Sequence, residues 1–162
     1  MLKIRSATSA DTTILFYLIK ALAKYEQLSD AVVGNESDLR EHLFGKHPYA
    51  KAILAEWDHE TAGFALFFYN YSTFLTKPGI YLEDLFVLPA YRRRGIGTAM
   101  LTYIAKLGLK EGIGRFEWSV LDWNESAIAF YQKMGAEILP EWQTCRVRGT
   151  ALDLLANFEI EP

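Results

Sequence analysis

A chain of 162 residues is the length of one domain and can bury a substantial core. With 51% hydrophobic, 23% charged and 14% aromatic residues it reads as an ordered globular protein, and disorder is excluded. A formal charge of −3 argues against a nucleic-acid binder, and the single cysteine, Cys145, rules out an internal disulfide framework and a cysteine-based zinc cluster.

Residues 2–6, "LKIRS", alternate as a short strand does. "SADTTILFYLIKALAKYE" follows, with Leu15, Leu18, Leu22 and Tyr25 at helical spacing and Ser9 or Asp11 available as a cap. A second short helix is expected after Ser37, through "SDLREHLFG", ending at Gly45. Three strands come next. "AKAILAEW" and "AGFALFFYNY" flank "DHET", which reads as a hairpin turn, and "IYLEDLFVL" forms the third strand after the "STFLTKPG" loop. Beyond "YRRRGIG" a helix is marked by the stripe Ile96, Met100, Ile104 and Leu107. "RFEWSVL" reads as a strand, and a helix is expected from Asn124 to Met134, stopped by Gly135. "WQTCRVRG" alternates and reads as a closing strand, with "TALDLLAN" open between a strand extension and a short helix.

The expected order is therefore β-α-α-β-β-β-α-β-α-β, an α+β chain with a β–helix–β crossover that joins parallel strands. No repeat, low-complexity tract or linker interrupts it, so residues 1–162 are expected to form a single domain. The opening "MLKIRSATSADTT" lacks the apolar core of a signal peptide, and no apolar run is long enough for a bilayer. A cytoplasmic protein with no membrane and no nucleic-acid partner is expected. Cys145 lies in strand-like sequence without a nucleophile turn, which favours a structural role.

Chemistry concentrates at two places. The first is Arg92-Arg93-Arg94-Gly95-Ile96-Gly97-Thr98, placed between a strand and a helix. Glycines let a backbone approach closely, and a helix N-terminus presents free N–H groups, so the stretch reads as a phosphate holder. A P-loop needs Lys then Ser or Thr after its last glycine, and Thr98-Ala99 stand there. A dinucleotide fingerprint needs Gly or Ala three residues after Gly97, and it is not met at Met100. The third pattern, Arg/Gln-x-x-Gly-x-Gly/Ala, is matched throughout. By themselves the six residues also fit solvated arginines beside a tight turn. The second place is Glu83-Asp84, two carboxylates in an otherwise apolar strand. Strict alternation would send them to opposite faces, one toward a site and one away, and an exposed salt-bridged pair is the plain alternative.

The third pattern resembles the acyl-CoA pyrophosphate loop of the GCN5-related N-acetyltransferases. "AKYE", "YLEDLFV", "YRRRGIG" and "WNESAIAFYQKMGA", in that order, are similar to the spermidine/spermine (diamine) and thialysine N-acetyltransferase branch. The resemblance implies a central mixed, twisted sheet of about six to seven strands flanked by helices, acetyl-CoA as acyl donor, no metal, and a homodimer. It implies that the backbone of Arg92 to Thr98 wraps the pyrophosphate and that Leu85, Phe86 and Val87 meet the pantetheine and polarise the thioester. Asn124, Glu125, Ser126 and Ala127 fall at CoA-contacting positions. Glu83 is implied as a base acting through water or as an amine ligand. Tyr131, otherwise an aromatic on a core-facing stripe with Ala127 and Met134, is implied as the proton donor to the CoA thiolate.

Tyr25, Glu26, Glu83 and Asp84 are implied to hold the cationic acceptor. Two carboxylates near one cleft, Glu26 and Glu83, suit a diamine or polyamine, each ammonium finding a partner. "YSTF" at Tyr71 to Phe74 and "VLDWN" at Val120 to Asn124 lean toward the thialysine branch, and the segment from Met134 to Trp142 is short. The expected function is transfer of acetyl to a small primary amine by direct attack. A non-catalytic acyl-CoA sensor and a protein or peptide amine acetyltransferase stand as alternatives.

Overall fold

The computed structural model describes residues 1–158, which divide into two compact units, Met1–Leu121 and a second beginning at Asp122. The first unit holds β1 (Leu2–Ser6), α1 (Thr12–Tyr25), α2 (Glu36–Phe44), β2 (Lys51–Trp57), β3 (Glu60–Ser72), β4 (Lys77–Val87), α3 (Ile96–Lys110) and β5 (Arg115–Trp118). The second holds α4 (Glu125–Lys133) and α5 (Thr150–Ala156).

The five strands form one mixed sheet in chain order, antiparallel from β1 to β4 and parallel between β4 and β5. The parallel pair is the expected crossover through α3. The β2–β3 hairpin closes on Asp58 and His59, both at positive φ (49° and 71°). Two successive left-handed residues match the twist of the flanking strands, which is how a two-residue hairpin turn is built.

Register assigns the core. Leu54, Phe64 and Phe86 share one face, and on it Leu15, Leu18 and Leu22 of α1 and Leu43 of α2 are packed. Ile53, Phe67, Ile80 and Leu82 are buried on the opposite face, and α3, which packs on β1 to β4, buries Ile96, Met100 and Ile104. Two apolar stripes, one on each side of the mixed sheet, cover both faces.

Several expectations need correction. The sheet has five strands among the described residues, where six to seven were expected. β5 stops at Trp118, short of "SVL". Residues 142–149, expected as a strand, pair with no strand among the described residues, and Cys145 is exposed there. Alternation in sequence records a side-chain pattern, whereas a strand also needs a neighbour to take its backbone hydrogen bonds. "TALDLLA" resolves as helix α5. At α2 the cap is Asn35, whose Oδ1 accepts from the Asp38 N–H at 2.9 Å, in place of the later start expected after Ser37. Asp11 precedes α1, but its carboxylate serves elsewhere: it takes both Arg5 Nη atoms at 2.8 Å, while Arg5 Nε donates to Glu56 at 2.6 Å.

Candidate active site

The site in the first unit is organised by an irregularity in β4. Asp84 pairs with Leu66 and Leu82 with Phe67, so Glu83 is an extra residue, a β-bulge. Strict alternation therefore fails at the one place where the sequence argument relied on it. Glu83 is exposed and Asp84 half-buried. Burial raises the Asp84 carboxyl to about 7, and the charges of Glu83 and then Glu26 push in the same direction. Glu26 caps the C-terminal end of α1, and its own carboxyl is raised by burial. Three carboxylates from two elements thus share one field.

The bulge also marks where the sheet opens. β4 and β5 pair only from Gly79–Arg115 to Leu82–Trp118, yet β4 continues to Val87. From Glu83 onward β4 is paired with β3 on one side and with no strand on the other, among the described residues. Leu85, Phe86 and Val87 lie on this free edge. A strand edge offers N–H and C=O groups to an extended ligand with amides of its own. At Val87 the carbonyl is already taken, since Arg92 Nε donates to it at 3.0 Å.

The edge leads through a single turn at Pro89–Tyr91 into the glycine loop. Arg93 and Gly95 both adopt positive φ, 60° and 77°. A Cβ at Gly95 would meet nothing within 4 Å, so space is not what requires glycine there; the left-handed backbone is. Arg92 N–H bonds to Pro89 and Ala99 N–H to Gly95, while no backbone carbonyl takes the N–H groups of Arg93 to Gly97 among the described residues. Those donors stand at the start of the 15-residue helix α3, whose dipole favours an anion. The loop fits a diphosphate.

The three arginines differ. The Arg92 guanidinium lies 4.5 Å from the Tyr25 ring centre and 5.6 Å from that of Phe86. Arg94 lies 5.2 Å from Trp57 and 5.7 Å from Tyr91. Arg93 is exposed. In the sequence Arg92 alone holds the motif position, with Arg93 and Arg94 inside the loop. Tyr25 and Trp57 come from distant segments, which no spacing rule near residue 92 could have revealed.

In the second unit, Asn124 caps α4, its Oδ1 accepting from Ala127 N–H and from Ser126 Oγ, each at 3.3 Å. Glu125 and Ser126 are exposed and Ala127 half-buried. Tyr131 is buried, 9% exposed, with the Phe130 ring 5.3 Å away, and Gly135 ends the helix in the left-handed region as expected. Asp84, expected among the acceptor-holding residues, lies between the apolar Leu82 and Phe86 along β4, and its burial is what the sequence did not show.

Comparison with known proteins gives concordant matches. The acetyltransferase (GNAT) family model matches residues 18–136. An L-ornithine N5-acetyltransferase of Arabidopsis thaliana is 34% identical, over 98% of this chain and 89% of its own length. A thialysine N-epsilon-acetyltransferase of Sus scrofa is 37% identical, over 95% and 96% respectively. Among solved structures, an integron cassette protein from the mobile metagenome of V. cholerae superposes with a TM-score of 0.80 at 25% identity, covering 97% of this chain and 98% of that one. An aminoglycoside acetyltransferase from a soil metagenome superposes at 0.76 and 17% identity, over 91% and 97%, a likeness of fold.

Proposed function

The chain belongs to the acetyltransferase (GNAT) family and is an N-acetyltransferase, and from that premise we propose that it transfers acetyl from acetyl-CoA to the primary amine of a small cationic acceptor by direct attack in a ternary complex. One observation carries this reading. The free edge of β4 begins at the carboxylates Glu83 and Asp84 and ends at the glycine loop, so an amine site and a diphosphate site lie at the two ends of one short strand segment. The family match crosses from the first unit into the second, which supports one functional domain.

Acetyl-CoA supplies the acetyl group as a thioester and carries the diphosphate that the loop fits. The protein's part is to bind, orient and move protons. The N–H groups of Arg93 to Gly97 hold the diphosphate, and the backbone of Leu85 and Phe86 pairs with the pantetheine amides. An acceptor amine with a pKa near ~10.4 arrives protonated and must lose a proton before its lone pair can attack. Glu26 and Glu83 hold the ammonium by charge. Asp84, at about 7, is the carboxylate best matched to accepting a proton at neutral pH. Tyr131, on α4, supplies the proton that the departing thiolate needs.

Acceptor class follows from the charge of the site and the names of relatives. Three acids favour a cation, and the relatives are enzymes of thialysine and of ornithine, each of which bears a terminal side-chain amine. The test is thiol release from acetyl-CoA with thialysine, ornithine, lysine, putrescine, spermidine and a lysine peptide. Turnover is expected with at least one of the free amines. CoA binding without turnover of any would make the chain a sensor, and turnover of the peptide alone would make it a protein acetyltransferase.

A further inference from the structure

Arg92 opens the glycine loop, where its charge would ordinarily be assigned to a phosphate. Its side chain is already committed. The guanidinium Cζ lies over the Tyr25 ring, 4.5 Å from its centre, and 5.6 Å from the centre of Phe86, and the two rings are 6.2 Å apart and tilted by 48°. Its Nε donates to the Val87 carbonyl at 3.0 Å. Tyr25 is the last residue of α1 and is followed by Glu26, while Phe86, 4% exposed, stands two residues after Asp84. One planar group therefore touches the start of the loop, the end of β4 and the acid-bearing end of α1.

We propose that Arg92 is a positioning residue, a clamp that fixes Tyr25 and Glu26 against the end of β4 so that the acceptor acids and the cofactor loop are set together, and that its side chain is not a phosphate ligand. The inference rests on the reading that the acids hold an amine and the loop holds CoA. The clamp needs a flat face for the rings and a side-on N–H for the carbonyl. Arginine has both, and lysine has the charge without either. Glutamine has a flat amide and an N–H donor without the charge. A phosphate contact would instead be read in CoA affinity, which would fall most when the charge is removed.

The experiment compares the full chain with Arg92→Lys, Arg92→Gln, Tyr25→Leu and the Lys/Leu double variant. It measures CoA affinity by calorimetry, and kcat and KM for the best acceptor at saturating acetyl-CoA. Arg92→Lys, which loses the planar fork, and Arg92→Gln, which loses the charge, are each expected to lower acceptor kcat/KM about tenfold and to leave CoA affinity within about threefold. The Lys/Leu double variant should lose little more than the worse single, since each breaks the same contact. A larger loss of CoA affinity in the Gln variant than in the Lys variant overturns the proposal in favour of a phosphate contact. So does a fall in melting temperature with acceptor KM and kcat unchanged, which would leave a purely structural residue.

If the wild-type chain turns over no amine, the proposed function fails and the clamp is read by another route. The Arg92 Nε–H resonance, shifted upfield by the rings, should stay in place when CoA is added. A downfield move on CoA addition overturns the clamp.

Discussion

At the scale of single residues, function concentrates in groups whose environment differs from their neighbours'. Asp84 and Glu83 are adjacent carboxyls, yet one is half-buried and raised to about 7 while the other is exposed. A raised carboxyl pKa means the native state holds its proton where the unfolded chain, near 3.8, has lost it. Stability contributed by that proton is complete below 3.8, declines as pH rises above it, and is lost once pH has passed through about 7. Asp84→Asn is therefore expected to raise the melting temperature at pH 8 and to change it little at pH 3.5. The same variant should remove the rise of kcat/KM centred near pH 7. An unchanged pH–rate profile would exclude Asp84 as proton acceptor. Tyr131→Phe keeps the ring and removes only the hydroxyl. Turnover should fall by roughly 10²-fold or more with CoA affinity nearly constant, as expected on losing a general acid. Single-turnover rates and CoA titration separate the two effects.

At the scale of elements, β4 carries the site because its pairing is interrupted. The bulge at Glu83 coincides with the last rung between β4 and β5, so the carboxylates and the free edge begin together. Both depend on β3 as a backing strand. A Cβ placed on Gly63 of β3 would lie 2.3 Å from the Phe86 carbonyl oxygen and 3.1 Å from Val87 Cα. Only glycine lets β3 approach the edge this closely. Gly63→Ala is expected to destabilise the protein by about 1–3 kcal/mol, the usual cost of overpacking. On the proposed function it should also weaken CoA binding, because it displaces the segment proposed to meet the pantetheine. Denaturant midpoints and CoA titration read the two losses, and a variant as stable as wild type would show that the strands can part freely.

At the scale of the whole molecule, an ion-pair network ties β1, β2 and the entry to α1. Arg5 reaches Asp11 with both Nη atoms and Glu56 with Nε, and these side chains are 14–30% exposed. Arginine beside it holds the Asp11 carboxyl well below the usual carboxylate range, and Asp11 in turn raises Arg5. A lowered carboxyl pKa contributes stability that is complete above the unfolded value of 3.8 and is lost as pH falls below it. Asp11→Asn should cost about 1.5–3 kcal/mol at neutral pH, the range for hydrogen bonds to charged groups. Its melting temperature should also vary less than that of wild type between pH 4 and 2. Parallel curves over that interval would exclude Asp11 as a source of the acid sensitivity.

Sequence alone determined the order of elements through α4, the α+β class, the glycine loop and the two acids in β4. Those features are local: periods of 2 and 3.6, turn residues and a six-residue pattern suffice to write them. It also marked Asn124 as a cap, since capping is decided within four residues. What it could not decide was every feature that needs a second strand or a distant segment. The bulge that sets Glu83 apart from Asp84 exists only in register against Leu66 and Phe67. Residues 142–149 have a strand's pattern and, among the described residues, no partner to make them one. Arg92 reads as a phosphate charge until Tyr25 is brought against it from the end of α1. Burial and like charge move Asp84 to about 7 only after folding has gathered Glu83 and Glu26 around it. Desolvation and Coulomb forces act across space, and sequence spacing records only distance along the chain.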